Sequence, residues 1–546
     1  MKKWIKTSAL FSAVLITGTS FAGVTASAAG YKTIRWTETA DLGTMDPSLA
    51  TDVVSFDALQ AAGEGLYRND KAGKPKLALA KSVKKSADGL TYTFTLRSGL
   101  KWADGTALTA QDFVYGWQRS NDPKTGAQYA YLFSGIKNAD AIQEGKDKDL
   151  SSLGVKALND TTLEVTLEHA MPQLEAVLTM ATFYPQSKAF NDKAGKNLGT
   201  AAKYSLSNGP FILKGWNGSN NKYSLVKNPK YWDAKAVKSK KITIQTIKDQ
   251  NTGYNLYKGK KVDYTTLSAD QVKKSKNNKA YKVYAQSSTF YLQFNQEKKP
   301  GFANVKIRQA FSYAIDRKTF ANNILTGTAT PAYTFTPTNL ATDPNTGKDF
   351  ATSVKVKGAI AYNVKKAKAD WKAGLKQLSA ADAKGVKNIE LLTDDTDAAK
   401  KSAQFLQAQL QKNLKGLKVT IKTVPFKQRL SLAESKKFDV VIYAWGADYA
   451  DPSTFLDLMT SDSTFNNGGW SNADYDAAMK KALTTDAADA DARYADYKIA
   501  EQALEKEVGV APLYYKSTPT FTNPAVKGVI SATVGSPFDW KYAYKK

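Results

Sequence analysis

The sequence predicts an α/β protein of more than one domain, and three observations carry that expectation. The chain has 546 residues, 42% of them hydrophobic, enough for large buried cores and, by length, about two to four domains. Between residues 389 and 444, short apolar runs alternate with segments of helical period, the pattern of a parallel sheet with covering helices. The 17 Pro and 35 Gly are dispersed and 23% of residues are charged, which excludes collagen-like, low-complexity and wholly disordered architectures.

The first segment reads as a leader. Met1–Lys6 is short and basic, Ala9 to Ala22 is mostly small and apolar, and Ala26-Ser27-Ala28 supplies the small residues a signal peptidase needs. The apolar run is short for a bilayer, and no other stretch approaches the ~20 apolar residues of a membrane helix. The expectation is an exported protein whose mature chain starts after residue 28.

Tyr92–Leu96 alternates as a half-buried strand does, and Asp104-Gly105 marks a turn. Thr109, with Asp112 three residues on, reads as the cap of a helix through Phe113, Val114 and Trp117. Leu163–Leu167 is a second alternating strand. In the C-terminal half, Ile389–Leu392 predicts a strand. Asp397–Leu414 predicts a helix, with apolar residues at 399, 403, 406, 410 and 414 and Gly416 as its stop. Val419, Ile421 and Thr423 alternate in a second strand. Leu430–Ser435 predicts a short helix and Phe438–Ala444 a third strand. Ligands of such sheets bind beyond the carboxyl ends of strands. Trp445-Gly446-Ala447-Asp448-Tyr449, expected just past the third strand, is therefore either a site segment or a plain loop with a helix cap.

Composition removes several chemistries. With no cysteine, disulfides, thiolate nucleophiles, iron–sulfur clusters, Cys-based zinc sites and a cysteine-borne lipid anchor are excluded. A single histidine, His169, leaves almost no room for a Ser-His triad or a metal site with several imidazoles. A carboxylate-pair enzyme survives this test. Phosphate-binding Gly-Lys-Ser/Thr loops, His-Glu-x-x-His and calcium loops are not found, so neither cofactor nor metal is expected.

The charge points to partners. Against 50 acids stand 77 Lys and Arg, a net +27; without Lys2, Lys3 and Lys6 of the leader it is +24. For an exported protein the anionic neighbour is a cell wall or membrane surface, and no nucleic acid is expected.

Several motifs, taken in order, resemble one family. Leu42-Gly43-Thr44-Met45-Asp46-Pro47 resembles its opening. Leu90–Arg97, Lys101–Thr106 and Ala110–Arg119 resemble its signature region. Asn208-Gly209-Pro210-Phe211 and Lys227–Asp233 resemble its return crossing. Val305–Ala310 with Ala314-Ile315-Asp316-Arg317 resembles the start of its third domain. The chain is thereby identified as similar, over the whole mature sequence, to the solute-binding proteins of peptide ABC transporters, the oligopeptide-binding family (family 5).

The resemblance implies a two-lobed periplasmic-binding-protein-like fold of the large three-domain type, with a hinge-closed ligand cleft. The implied division is domain I at 29–65, 205–286 and 516–546, domain II at 66–204, and domain III at 287–515. It implies a monomeric, non-catalytic receptor that takes oligopeptides and hands them to permease subunits. By the same likeness Asp448 binds the peptide ammonium, and Trp445, Gly446 and Ala447 lie along the peptide. Tyr115 contacts it from domain II, and Val53 is a backbone partner from domain I. One departure concerns the peptide carboxylate. The family's best-known members have an arginine three residues before the tryptophan, where this chain has Ile442; Lys436 or Lys437 is the local substitute. The rivals are a basic adhesion protein with a vestigial cleft, a member that binds a non-peptide solute, and a carboxylate-pair hydrolase. The expected location is extracellular and wall-associated, with the periplasm as alternative.

Overall fold

The computed structural model describes residues 30–546, so the leader and its Ala26-Ser27-Ala28 site lie outside the described residues. Among the described residues no helix is long and apolar enough to cross a membrane.

Three main sheets organise the chain. The first has four strands in the order Ile34–Glu38, Lys241–Thr246, Lys222–Lys227, Phe211–Lys214. Its strands alternate, so Ile34, Trp36, Tyr223, Leu225, Ile242 and Ile244 share the buried face. Trp36 stacks on Tyr264 at 3.8 Å and meets Phe538 edge-on at 4.9 Å, tying this core to the end of the chain.

The second sheet is antiparallel: Ala80–Lys85, Thr91–Leu96, Thr162–Thr166, Val155–Asn159. Both alternating strands expected here are present, with Phe94, Leu96, Leu163 and Val165 buried. Gly105 takes φ +97°, the left-handed conformation that the Asp-Gly turn requires. The helix Ala110–Asn121 starts as expected: the Asp112 carboxylate accepts the Thr109 N–H at 2.8 Å.

The third sheet is mixed. Asn388–Asp394 lies parallel to Lys418–Val424 on one side and to Val440–Gly446 on the other. The helix Asp397–Asn413 buries Ala403, Leu406 and Leu410 against these strands, as its period requires. Beyond Val440–Gly446 the sheet turns antiparallel, through Tyr281–Phe294 and Val510–Thr522 to Tyr264–Thr266. Two expected boundaries move. The short helix is Phe426–Glu434, begun after Pro425. The third strand is Val440–Gly446, so Trp445 and Gly446 belong to it. Its extension has a cause: Tyr281–Phe294 continues as a partner, pairing Thr289 with Trp445 and Ser288 with Gly446.

Tyr281–Phe294 and Val510–Thr522 are the longest strands, with 14 and 13 residues, and they join two lobes. One end of the pair abuts Tyr264–Thr266 beside the first sheet, and the other abuts the parallel strands. The ladder between them is interrupted between Ala285 and Thr289, where three residues face Lys516 alone. There the Ser287 N–H turns to the Thr533 carbonyl, and the Ser287 carbonyl accepts the Ala447 N–H.

The last residues are held to the first lobe by Arg68, 6% exposed. Its Nε and Nη2 each lie 2.7 Å from the Asp539 carboxylate, and Nη1 lies 3.5 Å from Glu64. Burial alone would raise the Asp539 carboxyl, but Arg68 holds it below its ordinary value. Arg68→Ala removes the guanidinium that pairs both buried carboxylates and is expected to cost about 3–5 kcal/mol. Calorimetric unfolding should show the first transition at lower temperature; an unshifted transition would count against the anchor.

Candidate functional site

Between the two lobes lies a cavity of about 760 Å³. One lobe contributes Thr37–Ala40, Thr51–Val54, Phe56, Asp57 and Tyr129; the other contributes Thr393–Thr396, Phe426, Arg429 and Ile442–Asp448. The interrupted ladder supplies Gln286–Ser288 and Lys516–Thr518. The cavity thus sits at the carboxyl ends of Asn388–Asp394 and Val440–Gly446, where open α/β sheets bind ligands. These two strands pair only at Leu391–Val440 and Leu392–Val441 and then diverge. Past Val441, that edge of the strand has no partner strand among the described residues. It is an open row of backbone donors and acceptors facing the cavity.

Asp448 follows this edge and is 9% exposed. Its Oδ1 accepts the Tyr129 hydroxyl at 3.3 Å and its Oδ2 the Thr454 hydroxyl at 3.5 Å, both long. Among the described residues no cation lies within ion-pair distance of it. Burial pushes its carboxyl up to about 8, although the two hydroxyls pull the other way. Trp445 stacks on Tyr129 at 5.8 Å and meets Phe465 edge-on at 4.8 Å, forming an aromatic wall beside the acid. In front of Gly446 the space is open: a methyl group built there would meet no atom within 4 Å.

Of the residues expected at a site, Asp448, Trp445, Gly446, Ala447 and Val53 all line this one cavity. Val53 is the first helical residue after the Asp52 cap and is 46% exposed. The Ala447 N–H and carbonyl are already bonded, to Ser287 and Gly535, each at 2.7 Å. Tyr115 is a correction. It does not line the cavity, because its helix turns Phe113, Val114 and Trp117 inward and leaves Tyr115 beside Lys188, 5.9 Å from its ring centre. Tyr129, in the short helical segment Gln128–Phe133, does reach the cavity, and no sequence pattern singled it out. Lys436 and Lys437 are a second correction: neither lines the cavity, and Lys436 pairs with Glu297 on the surface. His169 lies elsewhere, with Nδ1 3.2 Å from the Ala170 carbonyl.

Ile442 does line the cavity, and the cations there come from other elements. Arg429 is held by Asp394 at 3.0 Å and lies over the Tyr443 ring at 4.6 Å. Lys248 bridges Asp41 and Asp395, at 3.2 Å each. Lys401 and Lys516 complete the set and join no ion pair among the described residues. No group of three metal-ligating side chains occurs among the described residues.

Residues 74–467 match the model of the bacterial extracellular solute-binding proteins, family 5, middle region, and the chain belongs to that family. The dipeptide-binding protein of Lactococcus lactis subsp. cremoris (strain MG1363) is 39% identical over 560 residues, covering 100% of both chains. Listeria monocytogenes OppA bound to peptide has 39% identity and a TM-score of 0.90, over 94% of this chain and 99% of that one. The Escherichia coli murein tripeptide binding protein MppA gives a TM-score of 0.84 at 29% identity, over 95% and 99% of the chains. The unliganded open form of MppA gives 0.61 at 28% identity, over 95% and 98%. The chain thus superposes better on the peptide-bound Listeria protein than on that open form.

The raised carboxyl of Asp448 links its burial to pH. From the ordinary 3.8 to about 8, the folded protein keeps a proton that the unfolded chain releases. The contribution to stability is thus complete at low pH and lost as the pH climbs through that window. Asp448→Asn, which never ionises, should gain in melting temperature over the native protein as the pH rises from about 4 to about 8, and level off above that. A melting difference that stays constant with pH would contradict this account of Asp448.

Proposed function

We propose that the protein is a receptor that closes over short peptides and passes them to the permease of an ABC importer. One observation carries the reading: Asp448 is a buried carboxylate without a cation, at the end of an open strand edge inside an interlobe cavity. A peptide supplies both missing parts. Its ammonium pairs with Asp448, and its backbone adds to the edge at Tyr443–Gly446. Lys401 and Lys516, which join no ion pair among the described residues, are the cations available to its carboxylate in place of an arginine at 442. A cavity of 760 Å³ is within the ~300–1,000 Å³ range of small-ligand pockets, which favours peptides of a few residues. The dipeptide-binding relative and the peptide-bound neighbour support the same ligand class. The role is that of a receptor and not an enzyme. The three sheets favour a division into domain I (29–65, 205–286, 516–546), domain II (66–204) and domain III (287–515).

If the ammonium and Asp448 pair in a water-poor cavity, removing either leaves the other buried alone, at about 3–5 kcal/mol, or roughly two to four decades in affinity. Asp448→Ala and N-acetylation of the peptide should each have this effect, and together little more, because both remove one interaction. Calorimetric titration of the four combinations measures it. Equal affinity for free and acetylated peptides would remove the role assigned to Asp448.

The mature protein acts outside the cell as a monomer, held to anionic wall polymers by its charge. Salt shortens the Debye length from ~8 Å at physiological strength to ~3 Å at 1 M. Washing intact cells in 1 M salt should therefore release the protein without detergent. Retention through the wash would refute charge as the anchor.

A further inference from the structure

We infer that Glu38 and Asp57 form a second cation-accepting subsite in the cavity, which selects peptides carrying a lysine or arginine side chain. The inference rests on the peptide-receptor reading and adds the side-chain class that the cavity prefers.

The charge of the cavity is opposite to that of the chain. The protein carries +27, yet seven acids line the cavity against four bases. Two of those bases, Arg429 and Lys248, are committed to Asp394 and to Asp395 with Asp41. Apart from Asp448, the acids without such partners gather on the first lobe, where Glu38 ends the strand Ile34–Glu38 and Asp57 lies on the helix Val53–Ala62. Val53, Phe56 and Asp57, at i, i+3 and i+4, share the helix face that lines the cavity.

Neither carboxylate is used up by the fold. Asp52, on the same helix, shows what a structural acid looks like here: it accepts the N–H groups of Val54 and Ser55 and the Ser55 hydroxyl, at 2.6 to 3.0 Å. Asp57 is 5% exposed and accepts one bond, from the Phe538 N–H at 3.3 Å. Glu38 Oε1 is buried and accepts none. No cation among the described residues lies within 4 Å of either, and Lys516, the opposing charge that Glu38 feels, is beyond that distance. Burial raises the Glu38 carboxyl to about 7, against Lys516, and lifts Asp57 well above its ordinary value with Glu38 adding to the effect. A buried carboxylate pair without a cation, set in a ligand cavity, is stabilised when the ligand brings one.

The surroundings suit a long basic side chain. Phe56, Tyr264 and Phe538 line the same region, with Phe538 and Tyr264 edge-on at 5.4 Å. An aliphatic stem lies along these rings while its charged head reaches Glu38 and Asp57.

The test is calorimetric titration of the native protein with trialanine peptides in which one position is lysine or its uncharged isostere norleucine. At one position the lysine peptide should bind about tenfold or more tightly. The ratio should fall towards one in Glu38→Gln and Asp57→Asn, singly and more so together. Each change keeps the side-chain shape and removes the ionisable carboxyl. Proton release gives a second reading. At pH 7 the lysine peptide should release more protons than the norleucine peptide, measured in buffers of different ionisation heat. The groups facing the pair, Lys516, Asp52, Asp539, Tyr223 and Tyr264, are common to both titrations. Norleucine peptides that bind as well as lysine peptides at every position would overturn the subsite and leave the receptor reading intact. A preference that survives in the double variant would also overturn it. No binding by any free-amine peptide would overturn both.

Discussion

Everything functional in this molecule depends on how two long strands cross between its lobes. Tyr281–Phe294 and Val510–Thr522 pair firmly at each end and fail to pair in the middle, between Ala285 and Thr289. A continuous ladder there would join the lobes into one stiff sheet and fill the space between them. The interruption instead frees Gln286–Ser288 and Lys516–Thr518 to line the cavity, and it sends the Ser287 amide to Thr533 and its carbonyl to Ala447. Strand pairing joins the lobes, and the missing rungs lie at the cavity between them.

The same geometry explains the open edge. Asn388–Asp394 keeps its full pairing with Lys418–Val424, so it veers from Val440–Gly446 after two residue pairs. Val440–Gly446 stays with the crossing strand. The wedge between the diverging parallel strands becomes a wall of the cavity, and the exposed rungs are those of the strand that ends in Asp448. An edge of this kind invites aggregation on a protein surface; enclosed between lobes it is available only to what enters the cavity.

Electrostatics in the cavity work against the stability of the empty protein. Asp448, Asp57 and Glu38 are all raised by burial above their ordinary values. Other buried charges are paired: Arg68 with Asp539 and Glu64, and Arg317 with the carbonyls of Pro512 and Ser312.

Local pattern sufficed for much of this. Alternation at Tyr92–Leu96 and Leu163–Leu167, the helical period at Asp397–Asn413 and the three strands around it are set by which side chains face a core, and neighbouring residues encode that. Local pattern left Asp448 open between a site segment and a plain loop with a helix cap; the family resemblance pointed to it, and it lines the cavity. The far extent of the strand through Trp445 and Gly446 was not legible, since it depends on a partner strand more than 150 residues away in sequence. Tyr115 and Tyr129 are equally aromatic and close in the chain; only the packing of Phe113, Val114 and Trp117 decides which of them reaches the cavity. Arg429, Lys516, Glu38 and Asp57 carry no motif. They meet because distant strands and helices bring them to one low-dielectric space, and that meeting is a property of tertiary structure alone.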